Sequence, residues 1–277
     1  MRKIIILAIV ALAFVACESD KKEQKKVLIK TEYGDMKVKL YNKTPKHRDN
    51  FVKLVKEGFY DSLKFHRVIE DFMIQGGDPN SKDPDSAARL GEGGPGYKLE
   101  AEIVDTLYHK KGALAAARQG NQTNPEKKSS GSQFYIVDGR EYTGQELDQI
   151  EQRMNMQKKN EIFRQIIEQE EYTHIKDTYD SLRKAQDREG FNQFIQNEVE
   201  PLIEEKLEEQ GKYELSEEQR KIYKEIGGAP HLDGDYTVFG EVYEGFDVID
   251  SIAATETRQG RSNQPKEDII MEMEIIE

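Results

Sequence analysis

Little cysteine, few histidines and no excess of positive charge narrow the reading of this sequence before any motif is considered. Cys17 is the single cysteine among 277 residues, which excludes a disulfide framework and any multi-cysteine metal site. The five histidines, His47, His66, His109, His174 and His231, are scattered and form no HExxH-like pair, so neither a metal nor another cofactor is expected. The chain carries 41 Lys and Arg against 53 Asp and Glu, a net charge of −12. Nucleic acid is therefore not an expected partner, because phosphate binding needs a basic face. No apolar run reaches the roughly 20 residues that span a bilayer. No Ser/His/acid set or cysteine pair has the spacing of a hydrolase or a redox centre.

What the N-terminus does have is an address. Met1-Arg2-Lys3 is followed by an unbroken apolar run from Ile4 to Ala16 and then by Cys17. A basic start, a short apolar stretch and a small residue before a cleavage point describe a signal peptide. Phe14-Val15-Ala16-Cys17 resembles a bacterial lipobox, with Phe14 where leucine is usual. The expectation is a signal peptide at 1–16, a lipid on Cys17 and a polar tether at 17–26. Acyl chains on Cys17 would make the membrane a partner and would place the protein in the cell envelope, periplasmic or outward facing.

From Val27 to Arg140 the sequence offers short β-branched and aromatic runs punctuated by glycine. Val27–Thr31 and Met36–Tyr41 flank Glu32-Tyr33-Gly34-Asp35, a hairpin signal. Thr44-Pro45 is expected to cap and open a helix that buries Phe51, Leu54 and Val55 and stops at Gly58. Strands are expected at Leu63–Ile69, Phe72–Gln75, Leu99–Ile103, Gly112–Ala117 and Gln133–Val137. Near Glu141 the texture changes. Residues 141–226 hold 13 Lys and Arg against 22 Asp and Glu, and apolar residues recur at three- to four-residue spacings, the mark of amphipathic helix. Gly190 and Pro201 punctuate this stretch, and Ser216-Glu217-Glu218-Gln219 is a capping-box signal. No heptad persists long enough for a coiled coil. After Gly228 the β texture returns, with a strand at Tyr236–Tyr243, a short helix at Phe246–Ile252 and a strand at Ile269–Ile276. The simplest division is one β domain, 27–140 and 227–277, interrupted by a helical insertion at 141–226. Joining Arg140 to Gly228 through a short turn should then leave a folded, active barrel. Phe163, Ile166, Phe191 and Phe194 are expected to staple the helices together, and a protein partner of this insertion is an open alternative.

Three segments carry the chemistry. They are Phe65-His66-Arg67-Val68-Ile69 with Asp71-Phe72-Met73-Ile74-Gln75-Gly76-Gly77-Asp78, then Gly112–Arg118 with Ser130–Val137, then His231–Gly240. In this order and spacing they closely resemble the cyclophilin-type peptidyl-prolyl isomerases, over nearly all of the β portion. The fold this resemblance implies is mainly β, a closed antiparallel barrel of about eight strands with two capping helices at 45–57 and 246–252. Strand alternation agrees on the site's position: Met73 and Gln75 share a face, as do Gln133 and Tyr135, whereas Phe134 and Ile136 point to the core.

The implied reaction is rotation about X-Pro bonds in exported or envelope polypeptides. By resemblance Arg67 is the catalytic charge, Phe72, Met73, Tyr135 and Leu232 form the proline pocket, Gln75, Ala117 and Gln133 contact the peptide backbone, and Tyr236 lies beside the ring. The resemblance also marks three departures. Tyr135 replaces a phenylalanine and adds a hydroxyl to an apolar wall, Arg118 replaces an asparagine and adds positive charge near the backbone ledge, and His231 stands where eukaryotic members carry tryptophan. Tight cyclosporin binding in the family uses that tryptophan, so weak sensitivity is expected here. His66 reads as a satisfied core histidine. The alternative to catalysis is a proline-peptide-binding chaperone or scaffold module.

Overall fold

The computed structural model describes residues 24–83, 90–258 and 263–277. The expected signal peptide, Cys17 and most of the tether lie outside the described residues.

The first elements among the described residues are a hairpin, β1 (Lys26–Thr31) and β2 (Gly34–Leu40), so β1 takes in Lys26, the last residue expected as tether. Alternate side chains of the two strands, Val27 and Ile29 against Val38 and Met36, meet in register and are fully buried. Helix α1 (Pro45–Lys56) then buries His47, Phe51, Leu54 and Val55. Its cap differs from expectation. The Thr44 hydroxyl is buried without a partner, and the Glu102 carboxylate instead accepts the N–H groups of Lys46 (3.1 Å) and His47 (2.9 Å). A carboxylate there satisfies two of the orphan donors of the first turn and suits the positive end of the helix dipole.

The remaining strands are β3 (Leu63–Lys64), β4 (Arg67–Ile69), β5 (Met73–Gly76), β6 (Lys98–Leu99), β7 (Ala113–Ala116), β8 (Ser129–Ser130), β9 (Phe134–Val137), β10 (Val238–Glu244) and β11 (Ile270–Ile276). Of the eleven strands among the described residues, nine form one antiparallel curled sheet in the order β3-β11-β1-β2-β10-β7-β9-β5-β4, and β6 and β8 form a separate ribbon. The two edges of the large sheet, β3 and β4, are consecutive in the chain. At the seam Phe65 N–H donates to Ile269 on the β11 side, and His66 N–H donates to Gln75 on the β5 side. The sheet therefore closes through two adjacent residues, and β3 and β4 together occupy the stretch expected as a single strand. The strand expected at Leu99–Ile103 is only Lys98–Leu99. Glu102 leaves the ladder because its N–H goes to the Thr237 hydroxyl while its carboxylate caps α1.

Side chains on one face of the sheet fill the barrel with α1 and α7 (Phe246–Ala253). Phe51, Phe134, Ile136, Phe239 and Ile249 belong to this core. The other face of β5, β7 and β9 carries a second cluster that includes Met73, Ala115, Tyr135, Val137 and Leu232. Of the two clusters, this outer one is the floor of the candidate site.

Residues 144–225 are helical in the main: α2 (Gly144–Glu168), α3 (Thr173–Ala185), α4 (Arg188–Phe194), α5 (Glu200–Gln210) and α6 (Glu217–Glu225). Capping boxes open α2 at Thr143/Glu146 and α6 at Ser216/Gln219. Gly190 does not break a helix; it lies in the first turn of α4, its N–H donating to the Asp187 cap. A π-helical turn at Ile195–Val199 carries the chain from α4 into α5, where Pro201 is tolerated because it sits in the first turn. Two separate packings hold these helices. A distal one gathers Ile162, Ile166, Ile175, Phe194, Val199 and Leu207, with Phe163 packed on it and Phe191 reached through the Tyr179 ring. A proximal one gathers Leu147, Ile150, Leu215 and Tyr223, with Tyr108 of the barrel packed against it.

Candidate active site

Register brings the site together. Arg67 pairs with Gln75, Gln75 with Tyr135, and Tyr135 with Ala115, so these residues form one row across β4, β5, β9 and β7. Paired residues of neighbouring strands share a face, and Met73, two residues from Gln75, shares it too. A cavity of about 100 Å³ opens on this row, lined by Arg67, Phe72, Met73, Gln75, Ala117, Arg118, Tyr135, Leu232 and Tyr236. Eight of the ten substrate-site residues expected from sequence thus meet in one place. Gln133 and His231 flank it. Gln133 lies in an adjoining groove of about 550 Å³ that shares Gln75 and Ala117. His231 lies in another of about 730 Å³ on the opposite side, its ring 5.4 Å from that of Phe72.

Arg67 is half-buried, and no carboxylate stands within ion-pairing distance of it among the described residues. Burial pulls its pKa below the usual arginine value, yet guanidinium stays cationic at neutral pH. Its Nη1 donates to Gln75 Oε1 at 3.2 Å, Gln75 Nε2 donates to Gln133 Oε1 at 3.1 Å, and Gln133 Nε2 donates to the Gly93 carbonyl at 2.7 Å. This chain fixes both glutamine amides. Gly93 is held in turn by the buried Asp78, whose carboxylate accepts the Gly91 and Gly93 N–H groups, and a Cβ on Gly93 would collide with it. Ala117 has its N–H bonded to Gln133 and its carbonyl bonded by Ser130 N–H, which leaves a second carbonyl lone pair for a peptide.

Arg118, Tyr135 and His66 each have surroundings that the sequence did not foretell. Arg118 does bring its charge beside Ala117 and Gln75, and it is held there. Its Nε donates to the Asp235 carbonyl and its Nη1 to Gln119 O and Asn121 Oδ1, and its guanidinium lies 4.4 Å from the Tyr236 ring centre. It holds Tyr236 in place. The Tyr135 hydroxyl does not sit in an apolar wall. It is bonded to His109 Nε2 at 3.0 Å, and burial raises its pKa well above the ordinary phenol value. His109 Nδ1 meets Asp233 Oδ1 at 2.8 Å, and Asp233 Oδ2 accepts from Tyr223 Oη (2.6 Å) and Gln219 Nε2 (2.9 Å) of α6. His109 and Asp233 were missed at the sequence level; the one signal was a tyrosine hydroxyl that needed a buried partner. His66 is buried but not satisfied, since neither ring nitrogen has a partner, and burial lowers its pKa to about 4.

A Ser/His/acid set does exist by distance, contrary to the sequence reading. Ser129 Oγ is 2.9 Å from His47 Nε2, and His47 Nδ1 is 2.7 Å from Glu102. Ser129 is only 1% exposed, so no substrate carbonyl reaches it. The trio ties the β6–β8 ribbon to α1.

The family model for cyclophilin type peptidyl-prolyl cis-trans isomerase/CLD matches residues 26–200 and 210–275. A Staphylococcus aureus protein bearing the name peptidyl-prolyl cis-trans isomerase is 30% identical over 248 residues, 89% of each chain. A Streptococcus pyogenes protein named as a bifunctional phosphatase/peptidyl-prolyl cis-trans isomerase is 33% identical over 250 residues, and there the chain spans only 37% of the relative. Among solved structures, a Cryptosporidium parvum cyclophilin type peptidyl-prolyl cis-trans isomerase superposes with a TM-score of 0.53 at 21% identity, covering 92% of this chain and 98% of that one. The same parasite enzyme solved in the presence of the dipeptide Ala-Pro gives 0.52 at 20% identity, covering 91% and 99%. The row across β4, β5, β9 and β7 therefore lies on a known kind of barrel, and the chain belongs to the cyclophilin-type peptidyl-prolyl cis-trans isomerases.

Proposed function

We propose that this isomerase seats the substrate proline in the cavity bounded by Phe72, Met73, Tyr135 and Leu232 and turns the preceding amide with Arg67. The observation that carries this is a half-buried guanidinium at the cavity wall with no carboxylate partner among the described residues, aimed by Gln75. A structural arginine at that burial would be paired, because a buried charge is costly without compensation.

Rotation of an X-Pro bond crosses a barrier of ~18–20 kcal/mol because C–N resonance is lost. The uncatalysed process takes on the order of tens to hundreds of seconds. No nucleophile is required. A fixed cation that bonds the prolyl carbonyl and draws density from the imide nitrogen favours the twisted amide over the planar one. Gln75, Gln133 and the Ala117 carbonyl hold the flanking backbone, with Tyr236 beside the ring and His231 at the rim. Clients are proline-containing segments of exported or envelope proteins, reached from a lipid anchor on Cys17. Support for the anchor is the position of Cys17 behind the Ile4–Ala16 run. Among the described residues no helix is long and apolar enough to cross a membrane.

The test is Arg67→Ala on a proline peptide. kcat/KM should fall by roughly 10²–10³, the scale of losing one transition-state donor, while peptide affinity changes far less. Lysine should rescue poorly, since it lacks the planar fork. Equal turnover in Arg67→Ala would sink the mechanism and promote a proline-binding chaperone or scaffold role.

A further inference from the structure

The groove on the His231 side has a wall that the barrel does not supply. Its barrel side is formed by the loop at 120–123 with Arg118, His231, Leu232, Asp235 and Tyr236, and its other side by Arg153, Met154 and Gln157 of α2. Positions 153, 154 and 157 lie on one face of a helix, and that helix is seated by Leu147 and Ile150 in the proximal packing against Tyr108. The groove shares Arg118, Leu232 and Tyr236 with the proline cavity, so a chain leaving that cavity enters it directly. Its volume of about 730 Å³ falls within the roughly 300–1,000 Å³ range of ligand sites.

The charges sort themselves. Arg118 is held by Asp235, Gln119 and Asn121, and Asp235 is paired with Lys127. On α2, Glu146 pairs with Arg140, and Asp148 and Glu151 pair with Arg220. Arg153 is exposed and has no carboxylate within ion-pairing distance among the described residues. Across the groove, burial first and then the positive charge of Arg153 disfavour a proton on His231. Beside Arg153, Met154 offers adaptable apolar contact, and Gln157, Asn121 and Gln122 offer amides that both donate and accept, as a peptide backbone requires.

Resting on the assignment of the proline cavity, we propose that this groove holds the client segment adjoining the prolyl bond and that Arg153 selects an acidic side chain in it. The helical insertion then contributes substrate specificity, and the partner it fits is the client polypeptide itself.

The experiment compares kcat/KM on three probes with the full-length enzyme, and on a lysine-bearing version of the longer peptide for one variant. One probe is a four-residue Ala-Pro peptide; the others are eleven-residue peptides that differ only in carrying glutamate or glutamine at positions flanking the proline. Wild type should favour the glutamate peptide by roughly two- to fivefold at low salt, the range of an exposed ion pair, and the preference should shrink as salt rises. Arg153→Ala should abolish the ratio, and Arg153→Glu should invert it toward a lysine-bearing peptide. Turnover of the short peptide with no acidic preference in wild type, or an unchanged ratio in Arg153→Ala, overturns this proposal alone. No turnover of the short peptide removes the cavity assignment and this proposal with it.

Discussion

Two deletions that look alike in sequence should behave differently in the folded protein. The first removes residues 141–226, joining Arg140 to Gly227. The second removes residues 160–209 only, joining Lys159 to Gln210. The second cut is geometrically natural. Asn155 exchanges two hydrogen bonds with the Tyr213 backbone, and Lys158 Nζ donates to the carbonyls of Gln210 and Gly211, so the outgoing and returning chains already lie side by side. It excises the distal packing of Ile162, Ile166, Phe194 and Leu207 as a unit, and closing a shorter loop changes chain entropy little.

The first cut also removes α6. Asp233, whose side chain is 8% exposed, loses the Tyr223 and Gln219 donors to Oδ2, and Pro230 loses the Tyr213 hydroxyl that bonds its carbonyl at 2.6 Å. Each hydrogen bond to a charged group contributes about 1.5–3 kcal/mol, so the loss at Asp233 is roughly 3–6 kcal/mol. Water reaching the site brings the cost toward the lower figure. Against a typical domain stability of about 5–15 kcal/mol that is a large share. Urea unfolding of both deletions and of Tyr223→Phe gives the comparison, with short-peptide isomerisation as the check on folding. The 160–209 deletion should stay near wild type and Tyr223→Phe should lose about 1.5–3 kcal/mol. If the two deletions unfold within about 1 kcal/mol of each other, the bonds from α6 to Asp233 do not stabilise the barrel and this reasoning fails.

Three further outcomes can be checked directly. The His231→Trp variant should gain roughly ten- to a hundredfold in cyclosporin affinity over a weakly sensitive wild type, the return for about 1–3 kcal/mol of apolar contact; inhibitor titrations on one peptide decide it, and no gain shows that another residue sets the groove's affinity. Cys17→Ala should free the protein from the membrane fraction or block its processing, and unchanged membrane association counts against a lipid on Cys17. His66, held neutral by burial with a pKa lowered to about 4, contributes stability that is complete above the unfolded value near 6.5 and is lost as pH falls toward 4, by up to about 3 kcal/mol. Unfolding curves between pH 7 and 4.5 should therefore be flatter with pH in His66→Leu than in wild type, and parallel curves would refute the assignment.

Local signals were legible where the physics is local. The hairpin at Glu32–Asp35, the buried stripe of α1 and the capping box at Ser216 each follow from residues a few positions apart, and all three stand in the structure. The candidate row was legible because alternation and a distinctive string agreed on Gln75 and Tyr135, with Arg67 marked by the resemblance alone. What escaped was long-range. Glu102 caps a helix 55 residues earlier in the chain, a partnership with no local mark, and it also explains why the strand expected there is so short. Ser129 stands on β8, His47 on α1 and Glu102 in the loop after β6, so spacing could not foretell them. Pro201 read as a breaker because its cost is local, whereas its accommodation needed a π turn in the preceding residues.

Tyr135 shows where the two kinds of signal meet. Its ring does what alternation predicts, standing beside Met73 in the outer cluster and edge-on to Tyr236. Its hydroxyl obeys a different constraint, because a buried O–H without an acceptor costs about 1–3 kcal/mol. That demand is met by His109, 26 residues away, and His109 is in turn oriented by Asp233, 124 residues further along. In the tautomer that places the Nδ1 proton toward the Asp233 carboxylate, Nε2 accepts from the Tyr135 O–H. Asp233 then looks outward to Tyr223 and Gln219 on α6. The same side chain that walls the candidate cavity is thus the inner end of a buried chain of polar groups whose outer end lies on α6. A phenylalanine would serve the cavity equally well. The tyrosine is accounted for only by what stands behind it, which makes α6 part of the wall's support.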